Sequence, residues 1–593
     1  MLRFSAILLL SLTISGAERP PIPHFTDPNR RARLEAALPQ VTALFENFWR
    51  DRGAPGLVFG VVIDGDLALV KGFGEQDRDT HAPVTPDTVF RIASMTKSFT
   101  ALAILQLRDE GKLSLEDPVA KWIPEFAAFD YPTRDTAPIR IRTLLTHGAG
   151  FPEDNPWGDR QLSTPDDTLT AWLKKGLPFS TPPDTAYEYS NYGFALLGRI
   201  VARCSGVPYP EYIARHILQP LQMRASTLEP ESVPAALRAT GYGRNGGQYQ
   251  VIPSLPHGAF GSMGGMLVSA RDLGRYVAFH LSAWPPRDDP ESGPVRRSSV
   301  REMQHPWRPQ GFQAGRTSAY GYGLGVSQTC QFHRIVSHGG GLPGFGSYMM
   351  WLPDYGVGVF VMANLTYTAG GAIAEQALDA LRRTGALQPR ELPPSSDLLA
   401  AREAIIRIWN TRAQGAPRRE LEALAADNLF QDRTAPDRMT QIERLQGEAG
   451  TCLGAGPMKP DNLLRGGFRI PCEKGAVDVY FTLSPTMPPK VQRLDFSSLP
   501  NLSPAARKSV DALAAAIGRT DSETARVPAG QLYAVRLEMG SCRFGELLSR
   551  NESRATVRLE CDHGALLARV ELDSDGKLKN VQLLKPEDQS CAP

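Results

Sequence analysis

Apolar and polar positions alternate in different ways along the chain. Residues 56–72, GLVFGVVIDGDLALVKG, form two short β-branched and apolar runs around Asp64-Gly65, which predicts a β-hairpin. Residues 90–111, FRIASMTKSFTALAILQLRDEG, carry a long apolar run that predicts a buried helix starting near Ser94. A long middle region follows, rich in Pro and Gly, with helical pieces such as GFALLGRIVARCSG. Strand patterns return at HRIVSHGG and at GSYMMWLPDYGVGVFVMANL, with a turn at Pro353-Asp354-Tyr355-Gly356, and an amphipathic helix is predicted over 371–384. Strands at both ends with helices between them predict one sheet assembled from the two ends and a helical insertion.

Residues 388–397, QPRELPPSSD, are polar and proline-rich and read as a linker. Beyond it the pattern repeats. Gly450-Thr451-Cys452 precedes FRIPCEKGAVDVYFTL and KVQRLDF, while Gly540-Ser541-Cys542 precedes VRLECDHGALLARVEL and LKNVQLL. Arg469, Cys472 and Gly475 align with Arg558, Cys561 and Gly564, so two copies of one small module are expected. Each opens on a helix: Leu398, Ala401, Ile405 and Trp409 share a face in the first, and the second starts at Ser503-Pro504 and should stop at Gly518. Each copy is expected to be closed by its own disulfide, Cys452 with Cys472 and Cys542 with Cys561. Reduced, buried cysteines are the alternative. Cys591 has no obvious partner.

Length changes the picture only by calling for several domains: 593 residues exceed one ordinary core. A net charge of +2 gives no reason to expect nucleic acid or an anionic membrane as partner. The first residues do alter the reading. MLRFSAILLLSLTISGA has one arginine, a short apolar stretch and small residues at a cleavage position, the layout of an export signal over 1–17. That stretch is too short to cross a bilayer, so the mature chain is expected to have no transmembrane segment and to be periplasmic or secreted.

Chemistry enters at Ser94 and Lys97, three apart and therefore on one helical face. A serine hydroxyl is a weak nucleophile until a base takes its proton. Lysine can be that base once desolvation lowers its pKa from about 10.4, and the edge of a buried helix is where this is expected. Two further stretches follow in order: YEYSNYG, with Tyr189-Ser190-Asn191, and HGGG from His338. With LLTHGAGFP, YSNYGFALLGRIV, GYGLGV and SHGGGLPGFGSYMMWLPDYGVGVFVMAN as framing, the chain over about 40–385 resembles the serine β-lactamase and penicillin-binding-protein family, on the class C side, whose ordered motifs are S-x-x-K, Y-x-N and K-T-G or H-x-G.

The resemblance implies an α+β fold: a β-lactamase/transpeptidase-like sandwich of an antiparallel sheet flanked by helices beside a helical region, over 40–387. The linker at 388–397 and the α+β modules at 398–500 and 501–593 follow. It implies Ser94 as acylated nucleophile, Lys97 as proton acceptor, Tyr189 as the phenol or phenolate that relays the proton, and Asn191 as a partner of substrate amide and lysine. The N–H groups of Ser94 and Gly341 would form the oxyanion hole, and Gly339 and Gly340 would let substrate approach. His338 departs from the lysine usual in antibiotic-destroying members. It should be neutral above about pH 6.5, grip a substrate carboxylate less firmly, and make rates change as pH falls through its pKa.

The expected activity is therefore that of an exported serine hydrolase acting on D-amino-acid peptides, cell-wall fragments or small esters. A class C-type β-lactamase and a non-turnover penicillin-binding sensor are the alternatives. Partners are a small peptide or ester substrate, with cell-wall components as candidates, and no cofactor. The G-x-S-x-G elbow is absent, no histidine pair has zinc-ligand spacing, and no metal is expected. His147 in LLTHGAG reads as a structural turn residue.

Overall fold

The computed structural model describes residues 19–313, 315–411, 416–562 and 564–584. The leader expected at 1–17 and Cys591 lie outside the described residues. Among the described residues the chain divides into two compact units, Phe25–Arg390 and a second made of residues 19–24 with the described part of Glu391–Lys585.

In the first unit the run GLVFGVVI becomes β1 (Gly56–Ile63), buried at every position. Leu57, Phe59, Val61 and Ile63 enter one core and Val58 and Val62 the other. A strand apolar at both parities can be stable only with both faces covered. Asp64 (φ 53°) and Gly65 (φ 90°) make the left-handed turn of the predicted hairpin, and β2 (Asp66–Asp77) returns antiparallel with Ile63 opposite Asp66. The remaining strands of the same nine-stranded sheet are β3 (Ala82–Pro83), β4 (Arg308–Gln313), β5 (Arg316–Tyr320), β6 (Gly325–Thr329), β7 (Ile335–Leu342), β8 (Phe345–Leu352) and β9 (Val357–Ala363). Their order is β3-β2-β1-β9-β8-β7-β6-β5-β4. The two ends of the segment thus meet where β1 pairs with β9, Leu57 opposite Ala363.

Helices named here are α1 (Leu38–Arg52), α2 (Thr96–Asp109), α3 (Asn155–Gly158), α4 (Asn191–Ser205), α5 (Gly261–Gly264), α6 (Ala270–Ser282) and α7 (Gly371–Arg382). α1 and α7 cover one face: Val41, Phe45, Ile373, Ala377 and Leu381 share a core with Phe59 and Val61. α2, α4 and α6 share the opposite core with Val58 and Val62. α2 is buried at each position from Thr96 to Leu105, Lys97 included, because sheet and helical region enclose it from both sides.

The second unit holds two modules of like build. In the first, α8 (Ser396–Asn410), α9 (Ala416–Leu424) and α10 (Ala435–Ala449) precede the four-stranded antiparallel sheet β10 (Lys459–Asn462), β11 (Arg465–Cys472), β12 (Gly475–Leu483) and β13 (Val491–Pro500). In the second, α11 (Pro504–Arg519), α12 (Ser522–Ala525) and α13 (Ala529–Met539) precede β14 (Cys542–Arg550), β15 (Arg554–Cys561), β16 (Gly564–Leu572) and β17 (Leu578–Leu584). Disulfides join Cys452 to Cys472 and Cys542 to Cys561. Ser503 caps α11 through the Ala506 N–H, but the helix runs past Gly518 to Arg519. Thr520, at φ 56°, supplies the left-handed cap expected of the glycine.

Candidate active site

Ser94 sits in a tight turn, Ala93–Met95, that feeds directly into α2. Ala93 holds φ at +49°, a left-handed value of the kind that costs a non-glycine residue about 1–3 kcal/mol and that clusters at functional positions. Lys97, one turn on, has no exposed surface. Its Nζ lies 3.0 Å from Ser94 Oγ, 2.7 Å from Asn191 Oδ1 and 2.9 Å from the Met263 carbonyl in α5.

Two of these partners can only accept, so a neutral amine spends both its hydrogens on them and turns its lone pair to the Ser94 hydroxyl. Burial drives Lys97 toward that neutral form, lowering its pKa to about 7 against the opposing fields of Asp159 and Asp154. A lysine poised near neutrality and aimed at a hydroxyl has the chemistry a general base needs.

Tyr189 lies beside them, its ring centroid 4.9 Å from Lys97 Nζ and its hydroxyl hydrogen-bonded to Ser94. Burial holds the phenol well above its usual pKa, so of the phenol and phenolate allowed by sequence the structure favours the phenol. His147 packs on Tyr189 at 4.3 Å and on Tyr320 at 4.6 Å between ring centroids. It occupies a turn, at φ 54°, and its Nδ1 accepts from the Ser190 N–H at 3.0 Å. Burial keeps this imidazole neutral as well.

His338 stands on β7. Its Nδ1 is 2.6 Å from the Gly339 carbonyl and its Nε2 2.9 Å from the Tyr320 hydroxyl. The carbonyl can only accept, so Nδ1 carries the proton and Nε2 accepts from Tyr320. Burial and then the Lys97 charge lower the His338 pKa to about 3. This corrects the sequence expectation: His338 does not titrate near pH 6.5, so rates should not change through its pKa there.

Gly339, Gly340 and Gly341 continue β7 alongside the Ser94 turn. A Cβ on Gly340 would stand 2.2 Å from the Ile92 carbonyl and from Ser347 Oγ, so only glycine lets the strand approach there. β6 pairs with β7 only from Ile335 to Ser337, which leaves His338–Leu342 without a β6 partner.

Several residues here carry no sequence signal. Asp154 accepts from the N–H groups of Asn191 (2.7 Å) and Tyr192 (2.9 Å) at the start of α4, and Asn155 Oδ1 accepts from Asn191 Nδ2 at 3.1 Å. Tyr320 orients His338, and Met263 contributes only a carbonyl. Acid-rich caps precede many helices, and a carbonyl belongs to every residue. Among the described residues no cluster of three or more His, Cys, Asp or Glu could hold a metal ion, and no helix is long and apolar enough to cross a membrane.

A serine and a buried lysine in contact with each other, with a tyrosine and an asparagine gathered around them beside an antiparallel sheet with helices on both faces, define a serine-hydrolase architecture. The family model described as Beta-lactamase matches residues 41–383, and the chain belongs to that family. Protein flp of Staphylococcus aureus (strain MW2) is 30% identical over 330 residues, 55% of this chain and 63% of that protein. Beta-lactamase-like protein 2 of Dictyostelium discoideum is 30% identical over 259 residues, 42% of this chain and 47% of that protein. The chain therefore spans less than two thirds of these relatives' lengths. The octameric penicillin-binding protein homologue from Pyrococcus abyssi superposes with a TM-score of 0.51 at 21% identity, covering 92% of this chain and 100% of its own. That likeness concerns the fold.

Proposed function

We propose that the protein is an exported serine hydrolase that works through an acyl-enzyme on Ser94, with D-amino-acid peptides, cell-wall fragments or small esters as substrates. The observation that carries this reading is the Lys97–Ser94 contact of 3.0 Å around a fully buried lysine whose other two partners only accept.

In the acylation step the Ser94 proton passes to Lys97 Nζ as Oγ bonds to the scissile carbonyl carbon. The resulting oxyanion takes hydrogen bonds from the N–H groups of Ser94 and Gly341, usually the largest single contribution to such a reaction. When the tetrahedral intermediate collapses, the C–N or C–O bond breaks. The leaving group takes its proton from the Tyr189 hydroxyl, which regains one from Lys97. Water then attacks the acyl-enzyme ester, its proton passing to Lys97 and on to Ser94 Oγ as the acyl C–Oγ bond breaks, which releases the acid and restores Ser94. The free edge of β7 at His338–Leu342 suits an extended, peptide-like substrate laid along it.

A neutral His338 offers no charge to a substrate carboxylate, which favours peptidase or esterase over β-lactamase. The disulfides Cys452–Cys472 and Cys542–Cys561 fit an oxidising compartment and so support export. The test is the intact mass of the protein and of Ser94→Ala after exposure to a penicillin and, separately, a short-chain aryl ester. An adduct on the wild type alone, with steady ester turnover, supports the reading. A lasting adduct without turnover points to a penicillin-binding sensor, and neither adduct nor turnover overturns it.

A further inference from the structure

The segment from Asp154 to Asp159 touches both walls of the cleft. At one end it clasps Asn191: Asp154 and Asn155 take the hydrogen bonds described above, and a Cβ on Gly158 would stand 2.8 Å from Asn191 Cβ and Nδ2. At the other end stands Asp159, 4% exposed. Its Oδ2 accepts from the Tyr367 hydroxyl at 2.9 Å, and its Oδ1 has no hydrogen-bond partner among the described residues. Tyr367 follows β9 and lies against Gly341, where a Cβ would come within 2.6 Å of the ring. It does so in a left-handed conformation, φ 53°, that a tyrosine keeps only when its surroundings hold it. A buried carboxylate oxygen left without a partner is unfavourable, so ordinary packing does not account for Asp159.

We propose that Asp159 is a positioning residue for acyl transfer: its bond to Tyr367 completes a brace from Asn191 to Gly341, fixing the spacing between proton acceptor and oxyanion strand while its charge acts on Lys97. The proposal rests on the acyl-enzyme reading above. Lys97 faces Asp159 and Asp154 from this segment, the neutral imidazoles His147 and His338, and the Tyr189 phenol. Asp159 faces Tyr367, Lys97, Asp154 and, most weakly, Arg160. Of the two carboxylates, Asp159 acts more strongly on Lys97 and favours its charged form. Neutralising Asp159 therefore lets Lys97 give up its proton at lower pH.

The experiment follows kcat and kcat/KM against pH on a short-chain aryl ester for the full chain, Asp159→Asn and Tyr367→Phe, with Ser94 adduct formation read by mass. In Asp159→Asn the acid limb of kcat/KM moves down by about one pH unit, and plateau kcat falls about tenfold as the brace opens. Tyr367→Phe keeps the carboxylate but loses the bond, so kcat falls alike while the limb moves less, in the same direction. An acid limb that stays in place in Asp159→Asn, with the Ser94 adduct still forming, overturns the proposal. Should Asp159→Asn fail to fold, a Tyr367→Phe enzyme with wild-type kcat overturns it alone. A wild type that neither forms an adduct nor turns over the ester removes the acyl-enzyme reading itself, a failure visible before either variant is compared.

Discussion

At the scale of single residues, burial keeps the site's imidazoles and phenols neutral and leaves the pH response to Lys97 and the Asp159 carboxyl beside it, which burial raises to about 6. The sign follows from the role of Lys97: acylation needs the free amine, and with a pKa of about 7 that form is lost as pH falls. We expect kcat/KM for an ester to rise with pH through an acid limb near 7. His338→Gln should leave that limb in place, because a group at about 3 is already neutral throughout; a limb that disappears with His338 would assign the titration to the wrong residue. Tyr189 permits a second test. An aryl leaving group departs as a stable phenolate, whereas an amine must be protonated as it leaves. Tyr189→Phe should therefore lose about 10²-fold to 10⁴-fold on a peptide and markedly less on an aryl ester. Equal losses on both would argue against the relay. Ser94, Lys97, Tyr189, Asn191 and His338 were legible as candidates in the sequence because they stand in fixed short motifs. The neutrality of His338 was not, since it depends on Tyr320 and on burial that no local pattern encodes.

At the scale of elements, β1 shows what hydrophobic pattern can and cannot reveal. Its unbroken apolar run and the Asp64-Gly65 turn announced a hairpin, and the structure has it. Its partner on the other side, β9, lies about 300 residues away, and only the strand patterns at both ends of the segment hinted at the pairing. Gly60 illustrates the hidden part. A Cβ there would stand 2.3 Å from the Phe360 ring across the β1–β9 pair, so this glycine makes room rather than a turn. Gly60→Ala should destabilise the first unit by about 1–3 kcal/mol through overpacking, seen as a lower urea midpoint with an unchanged slope. A midpoint equal to wild type would mean that Phe360 moves aside without cost. The stop expected at Gly518 failed for a related reason: glycine is tolerated inside α11, and the next residues, not the glycine, decided where the chain turned left-handed.

At the scale of the whole molecule, the candidate site residues, both large cores and the nine-stranded sheet of the first unit lie between Phe25 and Arg390. The two modules after Glu391 have cores of their own, and each is closed by a disulfide. Small cores gain most from such cross-links, and removing one commonly costs about 2–5 kcal/mol. Removing these bonds should therefore act unevenly. We expect serine in place of the Cys452–Cys472 and Cys542–Cys561 pairs, which leaves the disulfide-bonded Cys330 of the first unit intact, to lower the melting transition of the modules by several degrees and to leave the hydrolysis of a small aryl ester close to its wild-type rate, because none of the residues that contact Ser94 or Lys97 is a cysteine. A chain ending at Arg390 should likewise keep ester turnover while losing the module transition. If ester turnover falls with the modules in either experiment, they contribute to catalysis on even the smallest substrate. If turnover survives on the ester but fails on a long peptide or wall fragment, their part lies in handling large substrates.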